Sequence, residues 1–166
     1  MTEPVAWKIR FYKDLETGVQ PARVWLDGLS SDDEPKKLAA LAAVQHVLAV
    51  HGIDVCETEW GKNLGNSLYE FRVRHPAGAI RNMFPLPGQA SKDLRMGAEP
   101  TKILLRIFFT TYGAGVLLLL SGYDKATDPS KGRQKREMKK AAEMAAKAKR
   151  GLRARQRDLA RRALKK

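Results

Sequence analysis

Alternation of apolar and polar positions opens the chain. Between Trp7 and Tyr12 the order Trp-Lys-Ile-Arg-Phe-Tyr puts Trp7, Ile9 and Phe11 on one side and Lys8 and Arg10 on the other, which predicts a half-buried first strand. A polar, turn-like stretch follows at 14–18. Pro21 then suits the first turn of a short helix that ends near Leu29 and has Val24, Trp25 and Leu29 as its apolar face. Residues 30–35, Ser-Ser-Asp-Asp-Glu-Pro, supply N-cap candidates and early acids. Beyond them the spacing of Leu38, Leu41, Ala42, Gln45, Leu48 and Ala49 predicts a helix from about Pro35 to Val50, stopped at His51-Gly52. The stretch 52–67, rich in Gly and polar residues, reads as a loop. From Leu68 to His75 alternation returns, with Phe71 and Val73 against Glu70, Arg72 and Arg74.

The greasiest part of the chain, 102–125, contains two apolar runs joined at Tyr112–Gly115, and the glycines at 113 and 115 permit the positive φ of a hairpin connection. Arg106 interrupts the first run. A cation buried there alone costs several kcal/mol, so it is expected to face a polar cleft. The second run leads through Ser121 and Gly122 to Tyr123 and Lys125, a phenol and an ammonium near the sheet end. Residues 76–101, with four prolines and glycines at 78, 88 and 97, read as a long mobile loop. From Asp128 onward the pattern is helical, Ala-rich and basic. Asp128 is the expected N-cap and Pro129 the first helical residue. Met138, Ala145, Leu152 and Leu159 make a thin apolar seam that Gly151 weakens.

Composition adds limits. At 166 residues and 43% hydrophobic content the chain suits one domain with an appendage. No apolar run is expected to reach the roughly 18 residues of a membrane span, and the N-terminus lacks a signal peptide's apolar core, so a cytoplasmic protein without membrane partners is expected. Cys56 is the single cysteine, which leaves no internal disulfide and no cysteine-based zinc site. His46, His51 and His75 have no ligand-like spacing; neither metal nor cofactor is expected. Residues 131–166 carry 16 Lys and Arg against three acids, which accounts for all of the net +13, whereas 1–130 is balanced. The chain therefore divides at 130 into a body and a basic helical extension. Such an extension binds a nucleic acid or another polyanion, or is simply a solvated helix.

Leu68-Tyr69-Glu70-Phe71-Arg72, then Leu105-Arg106-Ile107-Phe108-Phe109, then Leu117–Leu120 with Gly122-Tyr123-Asp124-Lys125 and a polar helix occur in that order. Over roughly residues 5–148 this resembles the RelE toxin superfamily, and within it the phage-derived Gp49-like branch of HigB-type toxins. The resemblance implies an α+β fold: a small RelE-like antiparallel sheet packed against two N-terminal helices, with a long basic C-terminal helix. It also implies the toxin of a type II toxin–antitoxin system, a metal-independent, ribosome-dependent mRNA endonuclease that a helix-turn-helix antitoxin holds inactive.

In that chemistry the ribose 2′-hydroxyl attacks the adjacent phosphate, and fixed cations stabilise the charge that develops. The resemblance assigns Arg72 and Arg106 to the transition state and Lys125 to the scissile phosphate or leaving group. It gives Arg74, Tyr123, Lys131, Arg133, Lys135 and Arg136 to RNA contacts. Plainer roles stand beside these: Glu70 with Arg72 or Arg106 as a cross-strand ion pair, Tyr123 as a strand-end aromatic, and His75 as a solvated turn residue rather than a general base. The loop at 76–101 is longer than the family's usual connection, the helix beyond about 148 is an extension, and no His-Lys or Asp-His pair completes an acid–base set. The alternative is a catalytically inactive toxin-fold module that binds an antitoxin, a host regulator or nucleic acid.

Overall fold

The structure, a computed structural model, describes residues 6–29, 34–76, 79–80, 83 and 103–165. The expected loop at 76–101 lies almost wholly outside the described residues. The order is β1 (Lys8–Phe11), α1 (Pro21–Gly28), α2 (Glu34–Ala43), a π-helical turn (Val44–Leu48), α3 (Ala49–His51), a 3-10 helix (Gly52–Glu57), β2 (Gly61–Gly65), β3 (Leu68–Val73), β4 (Leu105–Thr111), β5 (Val116–Asp124) and α4 (Lys131–Leu164). The protein is thus α+β, with a five-stranded sheet ordered β1-β5-β4-β3-β2.

Three expectations about the sheet and the N-terminal half are corrected. The sheet is mixed, because β1 pairs in parallel with β5, from Lys8 opposite Val116 to Phe11 opposite Leu119. The stretch 52–67 is no loop. It holds a 3-10 helix and β2, which pairs with β3 across a tight turn in which Asn66 and Ser67 both take positive φ. Third, the segment Lys36–Glu57 is 22 residues long with a mean hydropathy of 1.5, long and apolar enough to cross a membrane by length and composition. Half of its most apolar window is buried inside the protein, since a helix covering a sheet needs the same kind of face.

The hairpin is as expected. Tyr112 N–H donates to Val116 C=O at 3.0 Å, and Gly113 and Gly115 both have φ of +72°. One face of the sheet, with Phe71, Val73, Leu105, Ile107, Phe109, Leu117 and Leu119, packs under α1 and the helical stretch from α2 onward. Gly122 lies on this face against the Trp25 ring, where an added Cβ would collide with the indole. Gly122→Val is expected to lose about 1–3 kcal/mol of stability. A chemical-denaturation midpoint equal to the parent's would show that Trp25 moves aside freely.

The other face, with Leu68, Phe108, Leu118, Leu120 and Tyr123, packs under Ala141, Ala145 and Ala148 of α4. Small side chains let the helix approach the strands closely. Ser130, not Asp128, is its N-cap: the Ser130 Oγ accepts from Arg133 N–H at 3.2 Å, and Asp128 Oδ1 in turn accepts from Ser130 N–H at 3.0 Å. Of the expected seam, Ala145 is buried, Met138 and Leu152 are partly covered, and Leu159 is exposed, because the helix has passed the edge of the sheet.

Candidate functional site

Register builds the site. β3, β4 and β5 pair so that Arg72 lies opposite Arg106 and Arg106 opposite Tyr123, one row across three neighbouring strands. A bulge makes this possible. The β4–β5 ladder runs Phe109 to Leu119 and then Phe108 to Ser121, so Leu120 is the extra residue. Without it strict alternation would turn Tyr123 to the opposite face. With it, Tyr123 joins Arg106, and its ring lies 6.0 Å from that of Phe108 at 17°.

Glu70 sits on the same face, two residues before Arg72, and is 0% exposed. Arg72 Nε donates to Glu70 Oε1 at 2.7 Å, and Arg106 Nε approaches the same oxygen at 3.7 Å. Both pairings of the plainer reading are therefore present, one along β3 and one across to β4. Arg106 is 5% exposed and faces a buried carboxylate, which corrects the expectation of a polar cleft. The α4 helix covers this face, and the carboxylate supplies the counter-charge that a polar cleft was expected to give. A further Arg106 N–H donates to Leu105 C=O at 3.2 Å. Arg72, with 22% of its side chain exposed, is the solvent-facing end of the row. Among the described residues, Glu70 Oε2, Ser121 Oγ and the Tyr123 hydroxyl have no hydrogen-bond partner.

Arg133 closes the row from α4. Its guanidinium lies 5.4 Å from the Tyr123 ring centre, and an N–H donates to Thr127 Oγ1 at 3.2 Å. Burial pushes the Tyr123 phenol above its ordinary pKa, with Glu70 adding to the rise and Arg106 opposing it. Burial also lowers the pKa of Arg106, against the pull of Glu70. Tyr12, on the same side of the sheet, is raised by burial as well. A phenol raised in the fold stabilises it fully below the unfolded value and loses that contribution as pH rises through the folded value. Stability is therefore expected to fall alkaline of about pH 10, and ultraviolet titration should show Tyr12 and Tyr123 ionising late. A chain with Tyr12→Phe and Tyr123→Phe that loses no late-ionising phenol would contradict this.

The other residues expected here fall elsewhere. Lys125 follows the end of β5, and its backbone N–H donates to Leu104 C=O at 2.8 Å. No side-chain hydrogen bond or ion pair joins it to the row among the described residues. Arg74 is exposed and donates to Glu59 C=O at 3.0 Å. His75 meets Glu59 Oε1 at 2.7 Å and lies 4.9 Å from the Trp60 ring, at the sheet margin rather than in the row. Lys131, Lys135 and Arg136 are exposed on the first turns of α4. Asp124, next to Tyr123, points to the opposite face and pairs with Lys36 at 2.8 Å. Ser121 and the supporting Phe108 carry no sign of a site role in the sequence, and only the bulge places Ser121 beside the row.

Electrostatically, the guanidinium groups of Arg106 and Arg133 and the carboxylates of Glu70 and Glu137 act on the Tyr123 phenol. With Arg72 included the row carries surplus positive charge beside a proton donor, and its solvent-facing member is Arg72. Compared with protein-family models and with curated proteins, the chain matches none.

Proposed function

We propose that this chain is the toxin of a type II toxin–antitoxin system, a metal-independent endonuclease that cuts mRNA on the ribosome in the cytoplasm and is held inactive by a helix-turn-helix antitoxin. The observation that supports this reading is the register of Arg72, Arg106 and Tyr123 across three strands. Packing alone does not call for two arginines and a tyrosine in one row over a buried carboxylate. In the proposed reaction the ribose 2′-hydroxyl attacks the neighbouring phosphorus and the bond to the 5′-oxygen breaks. The products are a 2′,3′-cyclic phosphate and a 5′-hydroxyl. Arg72 binds the phosphate from the solvent side, Arg106 meets the charge that develops on its oxygens, and Glu70 holds both guanidinium groups in place. In this reading Tyr123, kept neutral, exchanges a proton rather than stacking on a base, because its ring is 1% exposed between Phe108 and Arg133. Lys125 reaches the leaving group only if the end of β5 shifts toward the row.

The expected result is cleavage that persists in EDTA and leaves cyclic or 3′-phosphate ends. Products with 3′-hydroxyl ends, or activity abolished by chelation, would exclude this chemistry. One observation favours a second reading, a toxin-fold module that binds without cutting: Arg106 is nearly closed off beneath α4 and neutralised by Glu70. Antitoxin or nucleic-acid binding with intact RNA would decide for it.

A further inference from the structure

A groove of about 510 Å³ lies between the connection after β1 and the middle of α4. Tyr12, Tyr112 and Leu118 form part of its floor, and Arg10, Lys13 and Arg150 stand on its rim. Two acids, Asp14 and Glu16, also line it. Asp14 is engaged: its Oδ1 accepts from the N–H groups of Glu16 and Thr17 at 2.8 and 3.1 Å, and its Oδ2 lies 4.0 Å from Lys147 Nζ.

Arg150 links this groove to the free part of α4. It also borders a hollow with Arg153 and Arg157, and Arg157 borders the next hollow with Arg161. Residues 153–165 are exposed on every side of the helix. Arg153, Arg157, Arg161 and Lys165 recur every fourth residue, a spacing at which like charges work against a helix. Against them stands Asp158, which pairs with Arg162 at 3.3 Å. Among the described residues, nothing in the fold itself uses this row of cations, and a polyanion would relieve its repulsion.

We propose that the groove and the arginine row form one track for single-stranded RNA, separate from the Glu70 row. An unpaired base enters against Tyr112 and Tyr12, and phosphates follow Arg150, Arg153, Arg157 and Arg161, spaced about 4.5–6 Å apart along the helix. Aromatic floor beside basic rim is the chemistry of single-strand binding; a duplex keeps its bases stacked away, and an acidic peptide brings no flat ring. Arg133, over Tyr123, lies about 25 Å along the same helix from Arg150, so a strand held on the track can extend to the row. The inference rests on RNA as the substrate and adds how that RNA is held.

The test uses the full chain and a labelled, unstructured RNA of about 12 nucleotides with 2′-O-methyl riboses, which cannot be cut by 2′-hydroxyl attack. Binding is followed across a salt series. Replacing Arg153, Arg157 and Arg161 by Ala is expected to flatten the salt slope by about 2, roughly 0.7 for each phosphate that the variant no longer neutralises. Tyr112→Ala is expected to weaken binding about five- to a hundredfold, and Tyr112→Phe to stay close to the parent. Thermal unfolding is run on all variants; if Tyr112→Ala melts early, the exposed arginines decide alone. An unchanged slope overturns the track, as does equal displacement of the RNA by duplex or by an acidic peptide. A chain that binds along the track yet leaves mRNA uncut overturns the nuclease reading only. A chain that cuts mRNA while the variants bind like the parent overturns the track only.

Discussion

Glu70→Ala is expected to destabilise the protein by about 3–5 kcal/mol, the cost of leaving a buried charge without its partner. The carboxylate is wholly buried and its Oε1 faces both Arg72 and Arg106. Arg72 can turn outward to water, but Arg106 is covered by α4 and among the described residues keeps only the Leu105 carbonyl as a hydrogen-bond partner. The loss should appear as a melting temperature lowered by roughly 10 °C or more for a chain of this size. A double replacement, Glu70→Leu with Arg106→Leu, is expected to recover most of it, because an apolar pair of similar volume in place of a buried ion pair is often neutral. If Glu70→Ala alone melts within about 2 °C of the parent, a shift worth less than about 1 kcal/mol, Arg106 has a route to solvent and the buried pair does not hold β3 to β4.

Growth arrest on expression without an antitoxin is expected to disappear in Arg72→Ala. Arg72 is also the nearest partner of the buried Glu70, at 2.7 Å, so the change is expected to lower the melting temperature. Arg106, 3.7 Å away, still balances the carboxylate, and folding is checked at the temperature of the growth assay. Arg106 needs a different substitution, since it is nearly closed off from solvent and Arg106→Ala would leave a cavity beside Glu70 and confuse lost activity with lost folding. Arg106→Lys keeps the charge beside the carboxylate and removes the guanidinium fork. Cleavage is expected to fall roughly 100- to 1000-fold, the usual effect of losing one donor aimed at developing charge. Parent-like toxicity in both Arg72→Ala and Arg106→Lys would mean that the row is not the site.

Sequence by itself determined what depends on near neighbours. Alternation from Trp7 to Phe11 marked β1, the glycines at 113 and 115 marked the hairpin, and the basic run after Pro129 marked α4. Each rests on a period or a local backbone demand that a short window carries in full. Even the missed β2 had a local sign in the Asn66-Ser67 turn ahead of Leu68. Its Gly-Lys-Asn-Leu-Gly strand, however, is extended because β3 offers it a ladder, not because its residues favour one.

Only the tertiary structure decided the rest. The parallel pairing of β1 with β5 joins segments about a hundred residues apart, and no periodicity records it. Charge alternation along β3 predicted a polar face, yet α4 buries that face, so Glu70 and Arg106 become a covered ion pair. The bulge at Leu120 arises from the fit of β5 to β4, and it carries Tyr123 across the sheet to the arginines. The residue types of the row were legible in the strands that carry them, but their meeting was not, because register, bulge and covering helix are set by contacts between distant parts of the chain.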